Sequence, residues 1–145
     1  MKHRILLAGI MGLACAVTGC TSFRFQKAWR EAQESERWQG NWKSARRGNG
    51  GALRAVVKTE PAAELDVYFE AHWHGFVTAY RVPLHQQTTR KKTELRAVAG
   101  QHDLKACLGG GTYTYSGTLS NREFKVHYQS AYDTGDFVLV PAPAK

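Results

Sequence analysis

The feature that most constrains this chain is an alternation of apolar and polar residues with a period of two. Between positions 65 and 73 every second residue is apolar, and acidic, tyrosine and histidine residues fill the positions between them. Successive side chains of a strand point to opposite faces, so this pattern predicts a strand with one buried face. The segments 111–117 and 123–130 alternate in the same way. Sheet therefore dominates the expected fold.

Turn-forming residues separate such segments at intervals of about ten residues, which is typical of a sandwich or a barrel. Eight strands are predicted, over 40–44, 52–58, 65–73, 76–84, 93–99, 111–117, 123–130 and 136–140. The absence of helical periodicity between them disfavours a parallel sheet. Short links and an even strand number favour a mainly β fold, an antiparallel up-and-down β-barrel without exposed edges.

A short amphipathic α-helix is predicted over 23–37, because Phe25, Trp29 and Ala32 recur there at helical spacing. Two roles are open for this helix. It caps the barrel with Phe25 and Trp29, or it lies on a bilayer. The three glutamates of the segment favour the cap.

The first residues have the order of features of a secretory signal. Lys2 and Arg4 precede an apolar stretch over 5–17, which is too short to span a bilayer. The stretch ends in Val17-Thr18-Gly19-Cys20, which resembles the lipobox of bacterial lipoproteins.

This resemblance implies that signal peptidase II cleaves between Gly19 and Cys20. The Cys20 thiol then carries diacylglycerol, and its amino group takes an acyl chain such as palmitate. Thr21, a residue other than Asp, implies an outer-membrane location facing the periplasm. The expected organisation is a signal peptide over 1–19, a lipidated tether and helix over 20–38, a barrel domain over 39–141 and a tail over 142–145.

Cysteine usage and charge fit an envelope protein that folds without disulfides. Once Cys15 is removed with the signal and Cys20 is lipidated, only Cys107 remains, so no intramolecular disulfide forms. Loss of Lys2 and Arg4 leaves 18 basic residues against 12 acidic ones. Outside the cytoplasm such charge favours anionic lipids or cell-wall polymers, and no nucleic-acid partner is expected.

The tripeptide Gly40-Asn41-Trp42 directly follows the predicted helix and opens the first strand. It resembles the Gly-x-Trp opening of the calycins, the group of lipocalin and avidin-like barrels. The resemblance implies that Trp42 packs across one end of the barrel. The chain departs from lipocalins in its shorter length and in the lack of their disulfides.

An up-and-down order assigns alternate links to opposite ends of the barrel. The even-numbered links fall at one end, here called the even rim, and the odd-numbered links fall at the odd rim. We expect the helix, the C-terminus and the basic run Arg90, Lys91 and Lys92 at the even rim. That rim is predicted to face the membrane, with basic side chains near anionic head groups. The alternative is a solvated loop over 90–92.

Three histidines are candidate metal ligands, because His72 and His74 are two residues apart and His102 falls in a link of the same rim. By strand parity, however, His72 points outward. No base accompanies Cys107, and the chain contains none of the familiar catalytic motifs. We expect no metal, no cofactor and no enzymatic activity.

Two functions remain open for the barrel. It binds a small apolar or amphipathic ligand, or it is filled by its own side chains and contacts envelope proteins or cell wall. The candidate ligand-binding residues are inward aromatic side chains, namely Trp42, Phe69, Tyr80, Tyr113, Tyr115 and Tyr128.

Overall fold

The alternating segments form a closed ring of eight antiparallel strands in the computed structural model, which describes residues 22–87, 95–104 and 110–144. Each strand pairs with its neighbours in sequence, and the first pairs with the last from Trp38↔Pro141 to Ser44↔Gly135. The predicted up-and-down barrel is thus confirmed. Its strands are β1 (Arg37–Ser44), β2 (Gly50–Glu60), β3 (Glu64–Trp73), β4 (Phe76–Gln86), β5 (Arg96–Leu104), β6 (Gly111–Leu119), β7 (Phe124–Gln129) and β8 (Thr134–Pro141).

Strand β5 differs most from its prediction, since it runs to Leu104 and makes His102 a strand residue rather than part of a link. The expected start at 93 lies outside the described residues. Glycine at position 100 is typical of the end of a strand, but Gly100 lies inside β5 and pairs with Tyr115 of β6. A side chain at Gly100 would meet Leu84 Cδ2 at 2.8 Å, so glycine serves close packing here.

A layer of three phenylalanines fills the middle of the barrel. The ring of Phe69 lies 5.1 Å from that of Phe137 and 6.5 Å from that of Phe124, and the latter two are 5.8 Å apart. All three side chains are buried among aliphatic residues of the other strands. Because protein interiors pack densely, this layer separates the two ends of the barrel interior.

The strands approach one another closely where β1 meets β8. A Cβ atom at Gly40 would collide with the backbone carbonyl of Val138. Where β6 meets β7, a Cβ atom at Gly117 would likewise collide with the backbone carbonyl of Lys125. Glycine at these inward positions lets the strands coil tightly, which a small barrel needs in order to close.

The predicted short N-terminal helix is confirmed as α1, which covers residues 22–31 rather than 23–37. It lies on the outer wall of the barrel, so its expected place as a cap at the even rim was wrong. Phe25 packs on Val56 of β2 and Ala79 of β4. A helix of ten residues is about 15 Å long, which matches about three strand spacings. It therefore spans the wall from β4 to β1. None of the described helices is long and apolar enough to cross a membrane.

The helix ends early because the chain turns toward β1. Glu34–Glu36 form a 3-10 turn, in which the backbone N–H of Gln33 donates to Glu36 Oε2 at 2.8 Å. Arg37 then caps the helix, with its guanidinium donating to the carbonyls of Trp29 at 2.9 Å and Ala32 at 2.7 Å. The C-terminal segment does lie at the even rim, as expected. The Ala142 N–H there donates to the carbonyl of Arg37 at the start of β1.

A buried carboxylate fastens the helix to the wall. Glu70 points outward from β3, yet α1 leaves it only 1% exposed. Its oxygens accept hydrogen bonds from Arg54 Nη2 at 2.5 Å and Gln26 Nε2 at 2.7 Å, and His72 Nε2 lies 3.0 Å away. Burial alone would raise the pKa of Glu70. The hydrogen bonds from Arg54 and His72 and the Arg54 charge outweigh it, and they hold that pKa below its ordinary value of 4.5.

We expect the Glu70→Gln variant to lose about 2 kcal/mol of unfolding free energy at neutral pH, because charge-assisted hydrogen bonds are lost. A lowered pKa stabilises the folded state above pH 4.5, and that contribution disappears as the pH falls through the folded-state value. The gap between the wild type and the variant should therefore close in acid. Urea unfolding followed by tryptophan fluorescence across this range measures it.

The matched control is Glu123→Gln, which changes an exposed carboxylate in the link between β6 and β7. It should unfold like the wild type at every pH. A gap between wild type and Glu70→Gln that stays constant down to strong acid would contradict the role given to the Glu70 charge.

Candidate functional site

A cup at the odd rim is the candidate site. It has a volume of about 140 Å³ and lies above the phenylalanine layer, between the strand ends that carry the odd-numbered links. Four tyrosines from three strands line it. The lining residues are Trp42, Ala71, Thr78, Tyr80, Leu104, Tyr113, Tyr115, Tyr128, Asp133 and Phe137.

Strand register brings the tyrosines together. Tyr113 and Tyr115 are successive inward residues of β6, and Tyr115 lies opposite Tyr128 of β7. The rings of Tyr113 and Tyr128 are 6.2 Å apart. Tyr80 enters from β4, and its ring lies 5.4 Å from that of Phe69, at the floor of the cup.

Burial favours the protonated form of three phenols of the cup. It raises the pKa of Tyr80, Tyr115 and Tyr128 well above the ordinary value of 10. Tyr128 donates its hydroxyl to Asp133 Oδ2 at 3.1 Å. The hydroxyls of Tyr80, Tyr113 and Tyr115 donate no hydrogen bond to the described residues. A molecule in the cup could therefore accept hydrogen bonds from them.

Asp133 is a residue of the site that the sequence did not single out as a ligand-binding candidate. Its Oδ1 accepts from Ser44 Oγ at 2.6 Å and from the Thr134 N–H at 2.9 Å. Ser44 is fully buried and also accepts from the Arg47 N–H at 2.9 Å. This network joins the β1–β2 link to the β7–β8 link, next to the pairing of β1 with β8. No local pattern reveals it, because Ser44 and Asp133 are 89 residues apart.

Five of the six predicted ligand-binding residues line the cup, namely Trp42, Tyr80, Tyr113, Tyr115 and Tyr128. Phe69 does not, because it is completely buried in the layer beneath. Trp42, the last residue of the Gly-x-Trp tripeptide, lines the cup at the odd rim. Its indole Nε1 donates to the carbonyl of His72 at 3.2 Å.

A second cavity, of about 300 Å³, opens at the even rim. Trp38, Val57, Leu119 and Pro141 give it apolar walls, and Arg96 points into it from β5. The Arg96 Nε atom is buried and has no hydrogen-bond partner among the described residues.

The structure gives the three candidate metal-ligating histidines separate surroundings. His72 points outward and contacts Glu70, as its strand parity predicted. His74 lies in the turn between β3 and β4 with its ring 5.2 Å from that of Trp73, and His102 is half-buried in β5. The described residues contain no group of three or more potential ligands.

Several predicted sites lie outside the described residues. They are the signal peptide with its cleavage site at Gly19, the lipidation site Cys20, the basic run Arg90, Lys91 and Lys92, and Cys107.

Comparison of the chain with protein-family models, with curated proteins and with solved structures finds no match. The interpretation of the cup therefore rests on its own geometry.

We expect the raised pKa of Tyr115 to weaken the fold in alkali. Above pH 10 the unfolded chain loses the Tyr115 proton while the folded chain keeps it, so unfolding becomes more favourable as the pH rises. The Tyr115→Phe variant has no phenol at this position, so it does not lose stability in this way. Between about pH 10 and 11 it should lose about 1 kcal/mol less stability than the wild type. Denaturant unfolding at both pH values measures the difference.

Thr114→Ala is the matched control, since Thr114 is the outward neighbour on the same strand and carries no ionisable group. It should follow the wild type. Equal alkaline losses for wild type and Tyr115→Phe would show that the phenol of Tyr115 is not held neutral in the folded protein.

Proposed function

We propose that this protein is a lipid-anchored lipoprotein of the bacterial outer membrane, facing the periplasm, whose cup binds one small amphipathic molecule. The observation that supports the proposal best is the convergence of three tyrosine hydroxyls, which have no acceptor among the described residues, inside an apolar concavity. Such a site combines aromatic contact area with a few directed polar groups, as small-molecule sites generally do. The proposal involves no catalytic step, no metal and no cofactor.

The size of the cup limits the ligand. An apolar cavity of about 150 Å³ accommodates benzene, so the part of the cup that the described residues enclose, about 140 Å³, takes roughly one ring or a short branched chain. The phenylalanine layer blocks the path to the other end of the barrel. A long acyl chain therefore cannot extend through the interior. The expected ligand has a ring-sized apolar body and at least one hydrogen-bond acceptor.

The lipid anchor rests on the resemblance of Val17-Thr18-Gly19-Cys20 to a lipobox. Two or more acyl chains hold a protein stably on a membrane, whereas one chain binds reversibly. Anchoring at Cys20 would keep the barrel at the membrane without a spanning helix.

We expect the Cys20→Ser variant to remain an unprocessed precursor, because the modified thiol is required for cleavage in lipoproteins with this motif. Mass spectrometry of the envelope fraction should show diacylglycerol and an added acyl chain on the wild-type protein. A Thr21→Ser variant is the control and should be processed normally. Normal maturation of the Cys20→Ser protein would contradict lipidation at this residue.

Binding to the cup can be tested with two probes of equal ring size. Acetophenone carries a carbonyl acceptor, whereas ethylbenzene does not. We expect the wild type to bind acetophenone more tightly than ethylbenzene, by about fivefold for one net hydrogen bond of about 1 kcal/mol. Ligand-observed NMR titration measures both affinities.

The buried hydroxyl of Thr78 also lines the cup and has no partner among the described residues. The decisive variant therefore combines Thr78→Val with replacement of Tyr80, Tyr113 and Tyr115 by Phe, which retains the contact surfaces and removes the donors. It should bind the two probes equally well. Tyr132→Phe, a change at an exposed residue of the same rim, should keep the wild-type preference. Equal binding of the two probes by the wild type would contradict the proposed role of the hydroxyls.

The filled middle of the barrel favours a second candidate, an interaction protein that contacts envelope proteins or cell wall through its loops. Native mass spectrometry of the protein from its own envelope separates the two. A discrete added mass that dissociates on denaturation supports the carrier. A bare chain mass together with a reproducible crosslinked partner supports the interaction protein.

A further inference from the structure

Exposed aromatic residues cluster at the turn between β3 and β4. The side chains of Trp73 and Phe76 are 41% and 71% exposed, and their rings are 6.3 Å apart. The following Val77 is exposed as well. His74 and Gly75 between them have positive φ angles of 44° and 81°, which makes the turn tight and places both rings at its tip.

The start of helix α1 lies beside the same two strands. Phe25 packs on Ala79 of β4, and Gln26 bonds to Glu70 of β3. Ala79 is three residues from Phe76, which corresponds to about 10 Å along the strand. Phe23, in the first turn of α1, is 66% exposed, and Arg24 next to it is exposed too.

We propose that the β3–β4 turn and the first turn of α1 form a membrane-contacting face, and that its occupant is the lipid bilayer. The face consists of Phe23, Arg24, Trp73, Phe76 and Val77. This inference rests on the proposed lipidation of Cys20.

Chain length connects the face to the anchor. Two residue steps separate Cys20 from Ser22, and they span at most about 7 Å. With the acyl chains of Cys20 in the bilayer, the helix start is held at the head groups. The β3–β4 turn, a short distance along the wall, then reaches the same layer.

The chemistry of the face suits a membrane interface. Tryptophan is enriched at the boundary between head groups and acyl chains, and exposed phenylalanine buries apolar area there. Arg24 adds attraction to anionic head groups. The orientation differs from the one expected from Arg90, Lys91 and Lys92, because it turns the odd rim with its cup toward the membrane.

Fluorescence quenching tests the orientation with the full lipoprotein. The protein is reconstituted into vesicles of phosphatidylethanolamine and phosphatidylglycerol, with and without bromine on the acyl chains. Bromine quenches only tryptophans at the depth of the chains. We expect bromination to remove most of the Trp73 emission, which is obtained as the difference between the wild type and the Trp73→Phe variant.

The control variant combines Trp73→Phe with Val140→Trp. Val140 is an exposed outward residue of β8, the strand farthest from β4 around the ring. Its tryptophan should not be quenched. A quenched tryptophan at 140 together with an unquenched Trp73 would overturn the proposed face.

Mass spectrometry of the same samples separates the two proposals. An acylated protein whose Trp73 is not quenched overturns the membrane face and leaves the anchor intact. A mature protein without acyl chains on Cys20 overturns the anchor and, with it, this inference.

Discussion

Closure of the sheet between β1 and β8 is the constraint on which the rest of the structure depends. Once Trp38 pairs with Pro141 and Ser44 with Gly135, every strand has two neighbours and no edge remains open. Closure also gives the side chains a fixed inside. The alternation then sends the aromatic rings into one confined space, where they form a packed layer in the middle and a cup at the odd rim.

Much of the fold could be predicted because period two is a local property of the chain. The strand number, their order and the inward faces follow from it, as does the outward direction of His72. Five of the six interior aromatics chosen from the sequence line the cup. Phe69 belongs to the layer instead, because parity gives the face of a residue and not its depth along the barrel.

Features that depend on strand register could not be predicted from the sequence. Val56 and Ala79 become neighbours under α1 only through pairing across three strands, so the helix was expected at the rim instead of on the wall. Their apolar character at outward positions was the one available signal. No signal in the sequence indicates that Glu70 is buried. An outward glutamate is predicted to be exposed unless its partners, here Arg54 and Gln26, are known.

The wall-bound helix determines how the protein bears mechanical load. A pull on the N-terminus reaches residues 22–31 before it reaches β1. It acts first across the wall, on the contacts of Gln26 and Phe25, and only then along the start of β1. Unwinding ten residues would lengthen the chain ahead of β1 by about 20 Å, since extended chain spans more than twice the rise of a helix. A pull from this end would thus be taken up first by unwinding of the helix, ahead of the closed ladder of the barrel.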